Sequence, residues 1–408
     1  MAYRLTRQAL QADLYAAFLC ARRHKSGQPY VRHFERRLTE LLTEITDALW
    51  NRTYKPEPST CFIIERPKKR EVFAAQFRDR VVHHLYYNYT HNLFERTFIA
   101  DTYSCIPGRG THYGIDRMRR HILEESRNYQ RDCWVLKLDI RGYFMHIDRE
   151  RLLAFALSSL ERMRRHRIDK GERRTWDDEI DFPFVEWMTR EIVLLNPIED
   201  CHMAGSAGDW IGLDDAKTLR KAGEGRGLPI GNLTSQLYSN VYLNVFDQYM
   251  KRTLGCRHYG RYVDDAYVVS CDKEWLLGIV PKVRVFLADA LGLDLHMGKV
   301  QLTKARHGAG FLGAYIKPYR TYIDNKALAR SAEGVADIDT SDVSHTYLSV
   351  NSYLGVLGHY ASYNIRRRLF LRERFLKVAA FDNGIKTMYK PYILTNKNLN
   401  YEQVIWKD

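Results

Sequence analysis

Apolar and polar positions along the chain alternate between helical and strand spacing, and they predict a mixed α/β protein. Near the N-terminus, apolar residues recur at three- and four-residue steps, as on one face of a helix: Phe34, Leu38, Leu41, Leu42, Ile45 and Leu49. A loop with Gly27 and Pro29 precedes this stripe, and Pro56 and Pro58 interrupt the helical pattern after it. The apolar run 61–64 then predicts a short strand, and helical spacing resumes over 76–94.

Two apolar segments farther along carry carboxylates at positions where strands end or turn. The run 134–140 predicts a strand that closes on Asp139, and the run 259–270 places Asp264 and Asp265 side by side among apolar and aromatic residues. In a continuous strand, neighbouring side chains point to opposite faces, so one of two adjacent Asp would be buried. At a hairpin turn both can emerge at one edge and bind a cation, although an ordinary Asp-Asp turn fits this pattern as well.

Composition changes in two later segments. Between Glu161 and Arg226 a basic stretch meets an acidic one and a Gly-rich piece follows, which predicts an insertion with its own helices and loops. Its arginines either contact RNA or are simply solvated. Beyond residue 345, tyrosines alternate with arginines at helical spacing, a mixture that suits nucleic acid or the core of a small helical subdomain.

Charge and cysteine usage narrow the class of protein. The chain of 408 residues has 63 Lys and Arg against 49 Asp and Glu, a net charge of +14, which suits nucleic acid or an anionic membrane surface. No apolar run approaches the roughly 20 residues that span a bilayer. We therefore expect a cytoplasmic protein with no membrane partner. The seven cysteines form no CxxC pair, so neither a zinc ribbon nor a disulfide framework is expected.

The carboxylates suggest a reaction. If their strands are neighbours, Asp139 and Asp264 would bridge two Mg²⁺ ions of a nucleotidyl-transfer site, with Asp265 as a weaker ligand and Mn²⁺ as a possible substitute. The basic cluster 68–80 offers cations for a triphosphate, although such clusters are usually solvated. The Gly/Pro loop 227–236 opens a helix where the backbone can approach a base pair.

Taken in order, these motifs resemble the sequence blocks of reverse transcriptases, from about Pro56 to Tyr363. Asp139 in LDIRGYF resembles motif A, YVDD at 262–265 resembles motif C, and Lys299 resembles the motif D lysine. The resemblance implies an α/β (α+β) right-hand polymerase with fingers, a ferredoxin-like palm and a helical thumb. It divides the chain as follows: N-terminal helical extension 1–55, fingers 56–130, palm 131–160 and 226–320, insertion 161–225, thumb and tail 321–408.

The resemblance also implies residue roles. Lys299 would protonate the leaving pyrophosphate, and the ring of Phe144 would exclude a ribose 2′-OH. The catalytic residues are Asp139, Asp264, Asp265 and Lys299, and the metal ligands are Asp139, Ile140, Asp264 and Asp265. The deoxynucleotide would contact Lys68, Arg70, Arg80, Phe144, Ile230 and Gly231. Template and primer would contact Ser235, Gln236, Tyr262, Phe311, Leu312 and Gly313.

One departure from the usual pattern refines the resemblance. The loop reads IGNLTSQ, which resembles reverse transcriptases of diversity-generating retroelements, where errors concentrate at template adenines. This subgroup implies a template RNA, a primer or cDNA strand, deoxynucleoside triphosphates and a separate accessory variability determinant protein as partners. The alternatives are an anti-phage defence or other retroelement reverse transcriptase, and a non-catalytic RNA-binding scaffold, which the intact carboxylates disfavour.

Overall fold

The computed structural model describes residues 3–66, 68–164 and 178–389, together with the backbone of two short strands at 392–394 and 403–405. Pro67 of the basic cluster and residues 165–177 of the expected insertion lie outside the described residues, as does the remainder of the tail. The chain divides into two compact units. The larger unit comprises Met1–Gly110, Lys137–Val268 and Glu274–Val300, and the smaller unit comprises Thr111–Leu136, Val269–Lys273 and Gln301–Asp408.

Helices and strands alternate along the described chain. The helices are α1 (Arg7–Arg22), α2 (Pro29–Arg36), α3 (Leu38–Trp50), α4 (Phe77–Glu95), α5 (Thr111–Glu125), α6 (Tyr143–His146), α7 (Arg149–Arg164), α8 (Phe182–Val193), α9 (Leu233–Gln248), α10 (Lys273–Leu291), α11 (Asn325–Ala336), α12 (Val343–Gly358), α13 (Tyr363–Phe370) and α14 (Glu373–Leu376). The strands are β1 (Ser59–Ile64), β2 (Arg70–Ala74), β3 (Trp134–Asp139), β4 (Cys201–Met203), β5 (His258–Tyr262), β6 (Asp265–Ser270), β7 (Gln301–Lys304), β8 (Ala309–Phe311), β9 (Ala314–Lys317), β10 (Arg320–Ile323), β11 (Ala380–Phe381), β12 (Met388–Tyr389), β13 (Tyr392–Leu394) and β14 (Gln403–Ile405).

The larger unit begins with helices α1, α2 and α3. Thr6 caps α1 by accepting a hydrogen bond from the Ala9 N–H at 3.1 Å. The apolar stripe expected to form one helix is divided at Arg37, and Pro29 starts α2 instead of lying in a loop. Proline fits there because the first helical N–H needs no partner within the helix.

Strands β1, β2 and β4 form a small sheet in the order β2-β1-β4. β1 is antiparallel to β2 and parallel to β4. Because β4 belongs to the segment 161–225, that segment contributes a strand to this sheet as well as helices of its own. The sheet carries the basic cluster at the start of β2.

The strands expected in the palm form a four-stranded sheet in the order β5-β6-β3-β7. Counted along the chain, the order is 2-3-1-4, with helices between the first and second and between the third and fourth strands. This is the arrangement of a ferredoxin-like sheet, so the prediction of a ferredoxin-like sheet is confirmed. Strands β3 and β6 contribute residues to both units.

The smaller unit combines α5 with the later strands and helices. β8, β9 and β10 form a three-stranded sheet, and α11 to α14 enclose a core that includes Val350, Leu354 and Phe370. The expected helices after residue 321 are present, and the strand pairs β11–β12 and β13–β14 follow them. Among the described helices, none has both the length and the apolar character that crossing a membrane requires.

Candidate active site

Asp139 lies at the C-terminal end of β3, and its carboxylate is paired with the side chain of Lys299. Lys299 Nζ donates to the two carboxylate oxygens at 2.9 and 3.1 Å. The backbone brings them together, because the His296 N–H donates to the Asp139 carbonyl at 2.8 Å and the Lys299 N–H donates to the His296 carbonyl at 2.8 Å. Two residues expected from separate motifs therefore meet at one strand end.

Asp264 and Asp265 lie at the turn between β5 and β6. Val263 and Asp264 form the two-residue connection, and Asp265 is the first residue of β6, so the hairpin prediction is confirmed. Val263 has a φ of +54°, as the first loop residue of a type II′ turn does. This backbone region costs a residue with a Cβ about 1–2 kcal/mol, and surrounding contacts must hold the turn in place.

The carboxylates at this edge of the sheet influence one another. Burial raises the pKa of Asp264, and the charge of Asp139 raises it further, while Arg70 lowers it. Burial also raises the pKa of Asp265 to about 6, against the opposing effect of Lys137, whose Nζ lies 3.8 Å away. The three carboxylates thus share a partly buried site where a cation would favour their ionised forms.

A buried ion pair that sequence reasoning missed supports the turn. Arg261 and Asp247 are both fully buried, and two guanidinium nitrogens donate to the carboxylate at 2.7 and 2.6 Å. The third nitrogen donates to the Val263 carbonyl at 2.7 Å, and the Val263 N–H donates to Ser104 Oγ at 3.1 Å. Both backbone groups of Val263 are therefore held. An arginine within an apolar strand and an aspartate within the apolar helix α9 were the available signals of a buried pair.

The loop before α9 is attached to β2. The Phe73 N–H donates to the Ile230 carbonyl at 2.9 Å, and the Ala75 N–H donates to Asn232 Oδ1 at 3.3 Å. Gly231 has a φ of +125°, and a Cβ there would stand 2.9 Å from the Phe73 carbonyl oxygen. Glycine is needed at this position because any side chain would collide with the strand.

Phe144 and Ile230 pack against one apolar cluster. Both side chains are half-buried, and the Leu228 N–H donates to the Phe144 carbonyl at 2.8 Å. The buried members of the cluster are Cys61, Phe73, Met145 and Leu219. Phe144, the expected barrier to a ribose 2′-OH, and Ile230, an expected deoxynucleotide contact, thus pack against the same cluster.

Glu71 is a second residue that sequence reasoning missed. Its buried carboxylate accepts hydrogen bonds from Trp210 Nε1 at 2.8 Å, Thr218 Oγ1 at 3.0 Å and the Leu219 N–H at 2.8 Å. These donors come from the segment 161–225, so that segment holds β2, on which Arg70 lies. β2 is exposed at Arg70 and buried from Glu71 to Phe73, so no alternation of polar and apolar residues marked Glu71 as buried.

The other expected contact residues of the larger unit are spread over its surface and core. Lys68 is exposed just before β2, and Tyr262 is half-buried at the end of β5. Arg80, on α4, donates through Nε to the Ala75 carbonyl at 2.7 Å. Gln236 is exposed in the first turn of α9, whereas Ser235 is buried, so the Ser235 side chain belongs to the core and does not face a nucleic acid.

Three expected template or primer contacts, Phe311, Leu312 and Gly313, lie in the smaller unit. Phe311 is 1% exposed and belongs to the core. Leu312 and Gly313 connect β8 to β9 with φ of +50° and +79°, the signature of a type I′ hairpin. The Phe311 ring is therefore enclosed in the core, and the turn residues Leu312 and Gly313 remain the predicted primer contacts.

The chemistry of the donor set fits a hard divalent cation. Asp139, Asp264 and Asp265 offer carboxylate oxygens, which Mg²⁺ prefers. The Ile140 carbonyl is not the acceptor in either of the backbone hydrogen bonds formed by its neighbours Asp139 and Arg141. Within the described ranges, no group of three or more acidic, histidine or cysteine side chains is arranged to hold a metal ion, and Lys299 engages both oxygens of Asp139. Completing a metal site would require Lys299 to leave Asp139.

Comparison with known proteins agrees with the motif order. Residues 194–316 match the family described as reverse transcriptase (RNA-dependent DNA polymerase). The match includes the loop before α9, the YVDD turn and Lys299, while the assignment of Asp139 rests on its geometry. Protein YkfC of Escherichia coli K12 is 25% identical over 311 residues, which cover 68% of this chain and 71% of YkfC.

Two solved telomerase structures also resemble the chain. One is telomerase from Candida albicans in complex with a fragment of telomeric RNA, with a TM-score of 0.46, 10% identity, 78% of this chain and 57% of that chain covered. The other is apo telomerase from Candida tropicalis, with a TM-score of 0.43, 11% identity, 83% of this chain and 65% of that chain covered. The chain thus spans less than two thirds of either telomerase.

The family match confirms the expected enzyme class, an RNA-directed DNA polymerase of the nucleotidyltransferase type. Its residues include the YVDD turn, whose carboxylates lie within electrostatic range of Asp139. Residues 194–316 of this chain therefore resemble a reverse transcriptase domain.

Proposed function

We propose that this chain copies a template RNA into error-prone cDNA, with errors concentrated at template adenines, as part of a diversity-generating retroelement. The observation that carries the proposal is the mutual electrostatic influence of Asp139, Asp264 and Asp265, in a chain whose IGNLTSQ loop is hydrogen-bonded to β2, the strand of Arg70. Template RNA, a primer or cDNA strand and deoxynucleoside triphosphates are the substrates. A separate accessory variability determinant protein is the expected protein partner.

Polymerisation assigns distinct roles to the charged residues. Asp139, Asp264, Asp265 and the Ile140 carbonyl would hold two Mg²⁺ ions, which supply charge stabilisation for the attacking and leaving oxygens of an in-line displacement. Arg70, whose charge acts on Asp264, would pair with the triphosphate. Lys299 would give a proton to the leaving pyrophosphate.

The IGNLTSQ loop supports low fidelity of DNA synthesis. Where most reverse transcriptases carry glutamine, this chain carries Ile230, whose side chain packs against the cluster that also contacts Phe144. An apolar wall offers no hydrogen bond to a correctly placed base pair and leaves no polar group unpaired when the base is wrong. A pocket of this kind discriminates weakly between bases.

A primer-extension assay tests polymerisation. With an RNA template, a DNA primer and Mg²⁺, we expect the wild-type chain to extend the primer and Asp264→Ala to lose extension while keeping its folded circular-dichroism spectrum. Asp272→Ala, an exposed carboxylate outside the turn, is the matched control. Extension by a folded Asp264→Ala variant would overturn the metal-site assignment.

Sequencing of the cDNA tests the error spectrum. We expect Ile230→Gln to lower misincorporation opposite template adenines, and Ile230→Leu, which keeps an apolar wall of similar volume, to leave it near the wild-type level. Equal error spectra for the glutamine variant and the wild type would refute the role of Ile230.

A further inference from the structure

A pocket beside the start of α9 gathers basic side chains from two separate parts of the larger unit. Lys25 follows α1, and Arg80, His83 and His84 lie on α4. These side chains face Gly231 and Gln236 across the pocket. The pocket therefore joins the N-terminal helical extension to the loop that carries the expected fidelity residue.

Among the described residues, the basic groups of this pocket have no acidic partner. Arg80 donates through Nε to the Ala75 carbonyl at 2.7 Å and through Nη1 to the Tyr30 hydroxyl at 3.4 Å, and its guanidinium lies over the Tyr30 ring. Throughout the part of the chain that the structure describes, neither Arg80 nor Lys25 forms an ion pair. Their positive charge is left for a ligand to neutralise.

Two histidines add to the basic groups of this pocket. His83 is 5% exposed, lines the pocket and has no hydrogen-bond partner among the described residues. Burial, together with the neighbouring charges of His84 and Arg80, lowers its pKa to about 4. Burial and Lys25 likewise lower the pKa of His84. A neutral, buried imidazole that faces a basic pocket keeps one N–H free to donate.

The start of α9 adds backbone donors. Asn232 occupies the N-cap position, but its side chain does not cap the helix, because its Oδ1 accepts from the Ala75 N–H instead. The N–H groups of the first turn and the positive end of the helix dipole are therefore available at the pocket. This combination of helix start and unpaired cations is suited to a phosphate group.

We propose that this pocket binds a backbone phosphate of the template RNA. The inference rests on the proposed polymerase function for the identity of the ligand, whereas the pocket itself does not depend on it. Both the RNA backbone and a nucleoside triphosphate could supply the phosphate. We assign it to the RNA because Arg70, on β2, is the cation that acts on Asp264, whereas Arg80, which the sequence suggested as a deoxynucleotide contact, lines this pocket together with Lys25 of the N-terminal extension.

Salt-dependent RNA binding tests the assignment. The full chain is titrated with labelled single-stranded RNA over a range of salt concentrations, without metal or nucleotide, and the logarithm of the binding constant is plotted against that of the salt concentration. Each phosphate contact contributes about 0.7 to the slope for a single strand. We expect Lys25→Gln to reduce the slope by about 0.7 and Lys25→Glu to weaken binding further. Lys25 is exposed, so neither change disturbs the core.

Two further variants and one steady-state measurement separate the outcomes. Lys282→Gln, on an exposed position of α10, should leave the slope unchanged, and His83→Leu, which fills the buried position without a donor, should weaken RNA binding at every salt concentration. The KM for deoxynucleotide should be the same in Lys25→Gln and wild type. An unchanged salt slope in Lys25→Gln would overturn the proposal, whether or not the nucleotide KM is raised. If Lys25→Gln reduces the salt slope but the wild-type chain extends no primer, the phosphate pocket is supported and the polymerase function is refuted.

Discussion

Replacing Arg261 tests whether the buried ion pair holds the YVDD turn. Arg261→Met leaves Asp247 as an unpaired buried charge and removes the donor to the Val263 carbonyl, which it meets at 2.7 Å. Breaking one side of a buried pair costs about 3–5 kcal/mol. At about 2–4 °C per kcal/mol for a domain of this size, thermal unfolding should occur roughly 6–20 °C lower.

The same change should impair catalysis beyond its effect on stability. Without the guanidinium, Val263 loses the contact that stabilises its positive φ of +54°, and Asp264 moves with it. Displacement of a reacting group by about 1 Å can cost about 10²-fold in rate. We expect a fall in kcat of about that size, measured by primer extension well below the unfolding temperature, with a nearly unchanged KM for nucleotide.

A double variant separates stability from positioning. In Arg261→Met with Asp247→Leu, the unpaired charge is gone, so thermal stability should partly recover, although Tyr259 loses the acceptor that it meets at 2.6 Å. The kcat should stay low because nothing replaces the donor to Val263. Arg284→Met, an exposed change on α10, controls for loss of an arginine. Full activity of folded Arg261→Met, or recovery of kcat together with stability, would refute this reasoning.

Four other perturbations address separate parts of the larger unit. Burial raises the pKa of Asp79 to about 6, so between about pH 4 and 6 the folded protein keeps this proton while the unfolded chain loses it, and the stability contributed by this group falls as the pH rises. Asp79→Asn should therefore flatten the pH dependence of the free energy of unfolding, measured by chemical denaturation, by up to about 3 kcal/mol. An unchanged pH profile would contradict a buried, protonated Asp79 carboxyl. Glu71→Gln should raise the nucleotide KM and lower stability by about 1–3 kcal/mol, whereas exposed Glu65→Gln should do neither. Phe144→Ala should increase ribonucleotide incorporation in primer extension, and continued exclusion of ribonucleotides would remove Phe144 as the gate. Lys299→Met should lower the Mg²⁺ concentration for half-maximal extension, because it frees Asp139, and should also lower kcat; an unchanged Mg²⁺ requirement would show that the pair does not compete with metal.

Elements with a strong periodic pattern could be predicted from the sequence. The apolar strand at 134–140, the helices at 76–94 and after Gly231, and the hairpin at Asp264 are all present. Their patterns are local, and the spacing of apolar residues decides which face is buried. The ferredoxin-like strand order followed from the motif order, which the resemblance supplied.

Features that depend on distant partners could not be predicted in this way. The division at Arg37, the strand β4 and the burial of Phe311 and Ser235 are set by packing against segments far away in the chain. Arg261 and Glu71 are the clearest cases, because a charged residue in a strand normally indicates exposure. Only their partners, Asp247 and the donors at 210–219, make burial favourable.

The buried Arg261–Asp247 pair and the exposed Lys299–Asp139 pair have opposite roles in the candidate site. Arg261 is fixed by Asp247 on one side and by Val263 on the other, so its position does not change when the carboxylates gain or lose charge. Lys299 is 55% exposed in its side chain and is held to Asp139 by a single ammonium group, which makes the pair exchangeable with solvent and cations. A cation that binds Asp139 must displace that ammonium group, and the displaced Lys299 stays attached to the same strand end through the His296 backbone. Under the proposed mechanism, in which Lys299 donates the proton, metal binding at Asp139 and the placement of that donor are coupled through one side chain.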